Sequence, residues 1–283
     1  MKRVIKDWKD YEIIDFGDGI KYERWNNIRL SRPDPLAIGK VANYAKLIKD
    51  NDIYYDDLAG KGKWIFKEDI LPFWNVNYKD MTFKVSPTSH KHLGLFPEQA
   101  VNWNYVREKI VNSNKDIKVL NLFAYTGAAT INAAKAGAIE VVHVDALKQV
   151  NDWAKENSVL SKTDDKVIRY ICDDVITFLK REIKRGNKYQ VIIMDPPSFG
   201  RGPKNKIWKF DENIDELISL TKQLLEDPLC LLISVYKTDF NQNDLKLLLS
   251  KYFPKQDLTT YDLFLPATSN KLLKAGVTGI YEV

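Results

Sequence analysis

From residue 118 onward, short apolar segments alternate with segments of helical spacing, and this alternation restricts the fold more than any other feature of the sequence. The apolar segments have the length of strands and fall at residues 118–125, 141–145, 167–172, 191–195 and 229–236. Helical spacing occupies residues 101–111, 130–136, 147–160, 175–185, 214–225 and 245–253. Continuously apolar strands separated by helices indicate a parallel sheet covered on both faces. We therefore predict an α/β domain whose ligand binds beyond the carboxyl ends of the strands.

The beginning of the chain has a different pattern. It contains short alternating runs at residues 11–16 and 81–85, a Gly17-Asp18-Gly19 turn and one helical stretch near residues 38–49. Alternation punctuated by turn residues is typical of hairpins. We predict a small β-rich or α+β domain at residues 1–98, followed by the α/β domain at residues 99–283.

Composition places few limits on the partners of this chain. Its 283 residues include 43 basic and 38 acidic side chains, and the net charge of +5 permits a nucleic-acid partner without requiring one. Cys172 and Cys230 lie in strand-like runs without Cys-x-x-Cys spacing, so we expect two buried, reduced thiols and no metal site. The sequence has neither the roughly 18 apolar residues of a membrane span nor the apolar segment of a secretory signal. We expect a cytoplasmic protein with no membrane partner.

Polar and small residues follow the predicted strands, where a ligand of such a sheet would bind. Residues 121–127 read Asn-Leu-Phe-Ala-Tyr-Thr-Gly, and a glycine at this turn lets the backbone approach a ligand closely. Asp145 ends the second strand, where a carboxylate can accept both hydroxyls of a ribose. Asp173 and Asp174 end the third strand, where a carboxylate can accept from an adenine amino group. For Asp145 and Asp174, an alternative role is that of a helix N-cap.

The fourth strand ends in the most specific of these segments, Asp195-Pro-Pro-Ser-Phe199. Pro196 and Pro197 fix the backbone and remove two N–H donors, so that rigid carbonyl groups face the predicted cleft. Acidic residues, a glycine and this segment at successive strand ends together indicate a nucleoside-containing cofactor beside a polar acceptor site.

A nicotinamide dinucleotide is the competing cofactor. It usually requires Gly-x-Gly-x-x-Gly at the first turn, so that its pyrophosphate can sit on the helix N-terminus. This chain has Ala124 and Gly127 with no glycine between them. A cofactor without phosphate therefore fits the turn better.

In these segments the chain resembles class I S-adenosylmethionine-dependent methyltransferases, and more narrowly the bacterial group that modifies bases of large-subunit ribosomal RNA. The resemblance covers residues 100–283, is preceded by a segment similar to that group's lead-in at residues 94–99, and is carried by residues 122–127, 144–145, 173–175 and 195–203. It implies a Rossmann-like, seven-stranded, mostly parallel sheet. It also implies S-adenosylmethionine as cofactor and RNA, either ribosomal RNA or a ribosomal subunit, as partner.

The resemblance further implies roles for individual residues. Asp145 would hold the ribose, and Asp174 or Asp173 the adenine. The remaining cofactor contacts would come from Asn121, Phe123, Tyr125, Thr126 and Gly127, which cradle the methionine moiety, and from Gln99. The residues facing the base would be Asp195, Pro196, Pro197 and Phe199. Among these, the Asp195 carboxylate and the Pro196 carbonyl would accept from an N–H group of the base, while Phe199 stacks on it after it has flipped out.

Basic and aromatic residues follow this segment, namely Arg201, Lys204, Lys206 and Trp208. They could form an ordinary solvated loop, but their position beside the acceptor site favours nucleic-acid binding. Relatives that methylate carbon-5 of cytosine use a cysteine after the fifth strand, and this chain has Ser234-Val235-Tyr236 there. We therefore predict transfer to a nitrogen or oxygen, with a base nitrogen as the expected acceptor.

Two other functions fit the same residues. One is a methyltransferase that acts on a small molecule or a protein side chain, and the other is a non-catalytic module that binds S-adenosylmethionine. The presence of both Asp145 and the Asp195-Pro-Pro segment favours catalysis. Nothing in the sequence specifies an oligomeric state.

Overall fold

A computed structural model describes residues 1–57, 62–67, 70–203 and 206–283. The chain forms two compact units. The N-terminal unit comprises Arg3–Ala100 and Leu263–Ala275, and the C-terminal unit comprises Met1–Lys2, Val101–Asp262 and Gly276–Val283. The predicted boundary falls between residues 98 and 99, whereas the units part between residues 100 and 101, and a late segment of the chain belongs to the N-terminal unit.

The N-terminal unit is built mainly from strands. The first elements of the chain are β1 (Lys2–Val4), β2 (Tyr11–Gly17), β3 (Ile20–Trp25), β4 (Ile28–Pro33), α1 (Tyr44–Asp50), β5 (Ile53–Asp56), β6 (Lys63–Phe66), β7 (Trp74–Tyr78) and β8 (Met81–Val85). Strands β2 to β6 form one sheet in sequence order, and β7 pairs with β8.

Helix α1 is shorter than the helical stretch predicted at residues 38–49. The chain before the helix forms a turn instead, because the Asp18 N–H donates to the Gly39 carbonyl at 2.8 Å and the Gly19 N–H donates to the Ala37 carbonyl at 3.0 Å. Gly39 itself has a φ of 98°, which lies outside the helical region.

The C-terminal unit alternates strands and helices as the sequence predicts. The elements that follow β8 are α2 (Ala100–Val111), β9 (Lys118–Leu122), α3 (Ala128–Lys135), β10 (Glu140–Asp145), α4 (Lys148–Leu160), β11 (Ile168–Cys172), α5 (Val175–Arg185), β12 (Tyr189–Met194), β13 (Phe199–Arg201), β14 (Ile207–Lys209), α6 (Phe210–Leu224), β15 (Leu225–Val235), α7 (Gln242–Ser250), β16 (Leu258–Pro266) and β17 (Leu272–Tyr281). Within the described part of the chain, no helix is both long enough and apolar enough to span a membrane.

Eight strands form one sheet in the order β1-β16-β17-β15-β12-β9-β10-β11. Strands β11, β10, β9, β12 and β15 pair in parallel, and β17 runs antiparallel to β15. The predicted mostly parallel α/β sheet is therefore confirmed, and the three-residue strand β1 adds to the seven that we expected. Because β10 and β12 lie on opposite sides of β9, the sheet changes direction at β9, where ligands of such sheets bind.

The two faces of the central strands differ in character. One face carries Leu120, Leu122, Val142 and Val144, which share an apolar core with side chains of α5, α6 and α7. Successive strand residues point to opposite faces, so Asn121 and His143 lie on the other face. These two residues are register partners in β9 and β10, and both are buried. A buried polar pair thus lies directly beneath the end of β9.

The expectation of two buried thiols is wrong for Cys172. Cys230 is fully buried within β15, but Cys172 is exposed. Strand β11 is the last strand of the sheet, so Cys172 lacks a neighbouring strand on one side. An apolar run in the sequence does not reveal whether its strand is central or at an edge.

Candidate active site

The loop between β9 and α3, residues 121–127, is here called the glycine loop. Its backbone is left-handed at Phe123 (φ 54°), Tyr125 (φ 50°) and Gly127 (φ 88°). This conformation costs a residue with a side chain about 1–2 kcal/mol, so contacts elsewhere have to hold the loop in place. Compensated strain of this kind clusters at ligand sites.

Gly127 is the one position of this loop where a side chain is excluded on two grounds. Its φ is positive, and a Cβ built there would lie 3.0 Å from the Cβ of Ala154 in α4. The glycine therefore lets α3 begin directly against α4, and it keeps the backbone of the loop at the carboxyl end of β9.

Asp145 closes the glycine loop from the end of β10. One oxygen of its carboxylate accepts from the Tyr125 N–H at 3.0 Å, and the other accepts from the Leu147 N–H at 3.0 Å. Burial raises the pKa of Asp145, although these main-chain donors oppose the shift. Helix α4 takes Leu147 as its N-cap, so the alternative role of Asp145 as a helix N-cap is wrong. No Lys, Arg or His within the described residues forms an ion pair with this carboxylate.

Asn121 and Thr126 are buried, and their hydrogen bonds lie inside the unit. The Asn121 amide donates to the Thr130 hydroxyl at 2.9 Å, and that hydroxyl lies 2.9 Å from Nδ1 of His143. The Thr126 carbonyl accepts from the Asn157 amide at 2.9 Å. The sequence analysis missed Thr130, His143 and Asn157 as supports of the loop. A signal was present for His143, because it interrupts the apolar run Val-Val-His-Val of β10.

The two acidic residues after β11 differ in their surroundings. Asp174 is the N-cap of α5, as the alternative for this residue predicts, and accepts from the Thr177 N–H at 3.0 Å and from Lys206 Nζ at 3.0 Å. Burial alone would raise the pKa of Asp174, but these hydrogen bonds outweigh it and lower the pKa. Asp173 pairs with Arg181, and its N–H donates to the Asp145 carbonyl at 3.2 Å. The ends of β10 and β11 are thereby joined.

Residues 195–199, here called the proline loop, follow β12. The Asp195 N–H donates to the carbonyl of Leu122 at 3.3 Å, so this loop starts beside the glycine loop. Pro196 is buried, while Pro197 and Ser198 are exposed. Phe199 is 53% exposed, an unusual fraction for a phenylalanine within a folded unit. The structure therefore brings an acidic residue, rigid carbonyl groups and an exposed aromatic ring together at the carboxyl ends of β9 and β12.

The predicted substrate-contacting residues lie on or near the hairpin of β13 and β14. Arg201 is exposed, and Lys206 is exposed but bonded to Asp174. Trp208 is only 8% exposed, so its ring offers little surface on which a base could stack. Strand alternation turns it inward between two exposed neighbours. Lys204 lies outside the described residues.

Gln99 belongs to the N-terminal unit. It ends a short 3₁₀ helix, Pro97–Gln99, and is buried. Within the ranges that the structure describes, no group of three or more His, Cys, Asp or Glu side chains could hold a metal ion.

Comparison with known proteins gives three findings. The model of a family described as S-adenosylmethionine-dependent methyltransferase matches residues 41–222. Ribosomal RNA large subunit methyltransferase K/L from Pseudoalteromonas atlantica is 38% identical over 122 residues, which cover 43% of this chain and 16% of that relative. Ribosomal RNA large subunit methyltransferase I from Enterobacter sp. is 41% identical over 85 residues, which cover 30% of this chain and 22% of that relative. The matched regions span about a fifth of these relatives or less.

A solved structure matches along the whole chain. The SAM-dependent methyltransferase from Agrobacterium tumefaciens has a TM-score of 0.92 and is 29% identical, with 100% of this chain and 93% of that chain covered. The similarity therefore includes the N-terminal unit as well as the parallel sheet.

Proposed function

The chain belongs to the S-adenosylmethionine-dependent methyltransferase family, and from this premise we propose that it methylates a nitrogen of an RNA base, in large-subunit ribosomal RNA. The family assignment makes S-adenosylmethionine its cofactor and removes the dinucleotide alternative. The observation that carries the substrate proposal is the exposed ring of Phe199 at the end of the proline loop, which begins with a main-chain bond from Asp195 to Leu122 of β9.

The residues of the glycine loop fit this cofactor. When bound, S-adenosylmethionine supplies a methyl group on a positively charged sulfur that a nucleophile can attack in line. Asp145 would hold the ribose, because its half-buried carboxylate has only main-chain donors and keeps lone pairs for two hydroxyls. The same buried negative charge disfavours a phosphate. Gly127 and the left-handed residues before it bring the backbone close enough to cradle the methionine moiety.

Asp174 would accept from the adenine amino group. Its Oδ1 already accepts from Thr177 and Lys206, and its Oδ2 has no hydrogen-bond partner within the described part of the chain. Asp173, which is bonded to Arg181, would instead hold the end of β11. Gln99 remains a proposed contact to the cofactor.

On the substrate side, the Asp195 carboxylate and the Pro196 carbonyl would accept from an amino or ring N–H of the base. These hydrogen bonds would turn the lone pair of the nitrogen toward the methyl group. Phe199 would stack on the base, which has to leave its own stack before it can reach the site. The chief contributions of the protein would be orientation of the nucleophile and exclusion of water.

The thiols support nitrogen rather than carbon-5 as the acceptor. Burial raises the pKa of Cys230 to about 12, so this thiol is not a nucleophile near neutral pH. Cys172 is exposed, but its register partner is Asp145 on the cofactor side of the sheet. Ser234 and Val235 end the strand where a nucleophilic cysteine would be needed, and both are buried.

An incubation with labelled S-adenosylmethionine tests the proposal. The acceptors are deproteinised ribosomal RNA, ribosomal subunits and a cell extract stripped of RNA. We expect label in the RNA, and mass spectrometry of its nucleosides to show a methyl group on a base nitrogen. Asp195→Asn should abolish most of the transfer, whereas Asp152→Asn, on the exposed face of α4, should not. Label that enters only the RNA-free extract would favour a small-molecule or protein acceptor instead.

A further inference from the structure

Trp208 occupies an unusual position in a hairpin that is otherwise exposed. Its strand neighbours Ile207 and Lys209 face solvent, and Ile207 is 56% exposed, whereas Trp208 is 8% exposed and belongs to the main apolar core. The indole therefore points into the C-terminal unit. There it contacts both loops of the site.

The first contact is to the proline loop. The indole N–H donates to the carbonyl of Pro197 at 2.6 Å, and the Phe210 N–H donates to the carbonyl of Ser198 at 3.1 Å. Two consecutive prolines have no N–H groups of their own, so their segment can be held only through its carbonyls and by packing. Trp208 thus supplies a hydrogen bond that the prolines cannot provide for themselves.

The second contact is to the glycine loop. The Trp208 ring packs against Phe123, with ring centroids 4.8 Å apart and planes inclined by 59°. Phe123 is one of the left-handed residues of that loop, and its partly buried ring packs on the same core as Trp208. A single side chain therefore fixes one residue of each loop.

We propose that Trp208 is a positioning residue for methyl transfer, which holds the acceptor-binding proline loop in register with the cofactor-binding glycine loop. The inference rests on the proposed function of these loops. Trp208 acts through its neighbours: loss of the indole N–H leaves the Pro197 carbonyl without its donor, and the proline loop then samples positions in which the acceptor nitrogen is out of line. Turnover should suffer while cofactor affinity does not.

Trp208→Phe tests the hydrogen bond, because it removes the N–H and keeps an aromatic ring against Phe123. Trp64→Phe is the matched control, since the Trp64 indole also donates to a carbonyl, that of His90 at 3.0 Å, in the N-terminal unit. We expect kcat of Trp208→Phe to fall by about 10- to 100-fold, as for small misplacements of reacting groups, with an unchanged Kd for the cofactor. Trp64→Phe should retain kcat.

Amide hydrogen exchange of residues 195–210 provides a second measurement that needs no substrate. Exchange should become faster in Trp208→Phe and stay at the wild-type rate in Trp64→Phe. If wild type methylates no RNA, the substrate proposal fails, and exchange still decides the role of Trp208. Wild-type exchange in Trp208→Phe would overturn the inference, and so would equal losses of kcat, cofactor affinity and melting temperature, which indicate a merely structural residue.

Phe123→Leu keeps the inference testable if Trp208→Phe does not fold. This variant leaves the bond between Trp208 and Pro197 in place and removes the contact between the rings. Faster exchange in residues 195–210 of Phe123→Leu would support a connection between the loops. An effect confined to residues 121–127 would contradict it.

Discussion

Cys172 is the register partner of Asp145 across the parallel strands β11 and β10, and its Sγ lies 3.5 Å from the carbonyl of Ala146. An exposed thiol thus lies beside the carboxylate that we assign to the ribose of the cofactor. This relationship gives the site a built-in chemical reporter.

Bound S-adenosylmethionine should slow the alkylation of Cys172, because the adenosine moiety would cover the ends of β10 and β11. Cys230 is an internal control, since it is fully buried and should not react in the folded protein with or without cofactor. Mass spectrometry of a timed iodoacetamide reaction measures both thiols in one sample. An alkylation rate of Cys172 that does not depend on cofactor would contradict the placement of the adenosine. Cys172→Ser should keep its methylation rate.

Asp145→Asn should weaken cofactor binding by about 1–3 kcal/mol, the usual cost of losing a charged hydrogen-bond partner. Titration calorimetry measures the difference. Asp152→Asn is the control, because Asp152 lies on the same side of the sequence in α4 but pairs with the exposed Lys148. The same titration should detect no binding of NAD. Wild-type affinity in a folded Asp145→Asn protein would rule out a ribose contact.

Phe199→Ala should reduce turnover and leave cofactor affinity unchanged, because the ring is exposed at the acceptor side of the proline loop. Stacking of a base on an aromatic ring contributes about 1–3 kcal/mol. Ile207→Ala removes a comparably exposed apolar side chain from the paired strand of the same hairpin and serves as control. Steady-state kinetics with RNA distinguishes the two variants. Equal kinetics for both would mean that the ring contributes no more than general apolar surface.

Arg201→Ala should lower the dependence of RNA affinity on salt. Arg201 is exposed on β13 and has no ion-pair partner within the described residues. Loss of one phosphate contact should reduce the slope of log K against log salt concentration by roughly 1. Lys180→Ala, which removes an exposed cation of α5 paired with Glu216, should leave the slope unchanged. Lys206 is less suitable, because its bond to Asp174 links it to the proposed adenine site.

His143 should make the protein less stable in mild acid. Burial lowers the pKa of His143 to about 3 in the folded state, against about 6.5 in an unfolded chain. Below pH 6.5 the unfolded state therefore binds a proton that the folded state rejects, and stability falls as the pH decreases toward 3.

Denaturant unfolding at pH 7 and pH 5 measures this effect. The contribution of His143 to the loss amounts to about 2 kcal/mol from the linkage relation. His143→Asn, which retains a polar group near Thr130, should lack this part of the pH dependence. His92, whose pKa burial lowers to about 4, contributes in both proteins, so their difference isolates His143. The same loss in both proteins would mean that His143 does not remain neutral.

The parts of the fold that local signals determine agree with the sequence analysis. Helix α5 occupies the predicted residues 175–185, because Asp174 caps its beginning and Gly186, with a φ of 73°, ends it. Strand β1 was not expected, because a three-residue strand has no pattern of its own and depends on distant β16. The exposure of Cys172 follows from the position of β11 at the sheet edge, which the sequence does not encode locally.

The site shows the same division. The sequence placed Asp145, Asp174 and Asp195 at strand ends, and the topology brings these strand ends to one edge of the sheet. Trp208 was expected to face the substrate because it follows the proline loop among basic residues. Its inward direction depends on the register of a three-residue hairpin strand, and the Phe123 ring that receives it comes from a residue far back in the chain.

The assignment of Leu263–Ala275 to the N-terminal unit has a consequence for biogenesis. A ribosome that has released the first hundred residues has not yet delivered the last piece of that unit, which emerges only after almost the entire parallel sheet has been made. The N-terminal unit therefore cannot be completed first during translation, although domains commonly fold in that order. It also cannot be exchanged between proteins as one continuous cassette, so a chimera would need two separate junction regions instead of one fusion point.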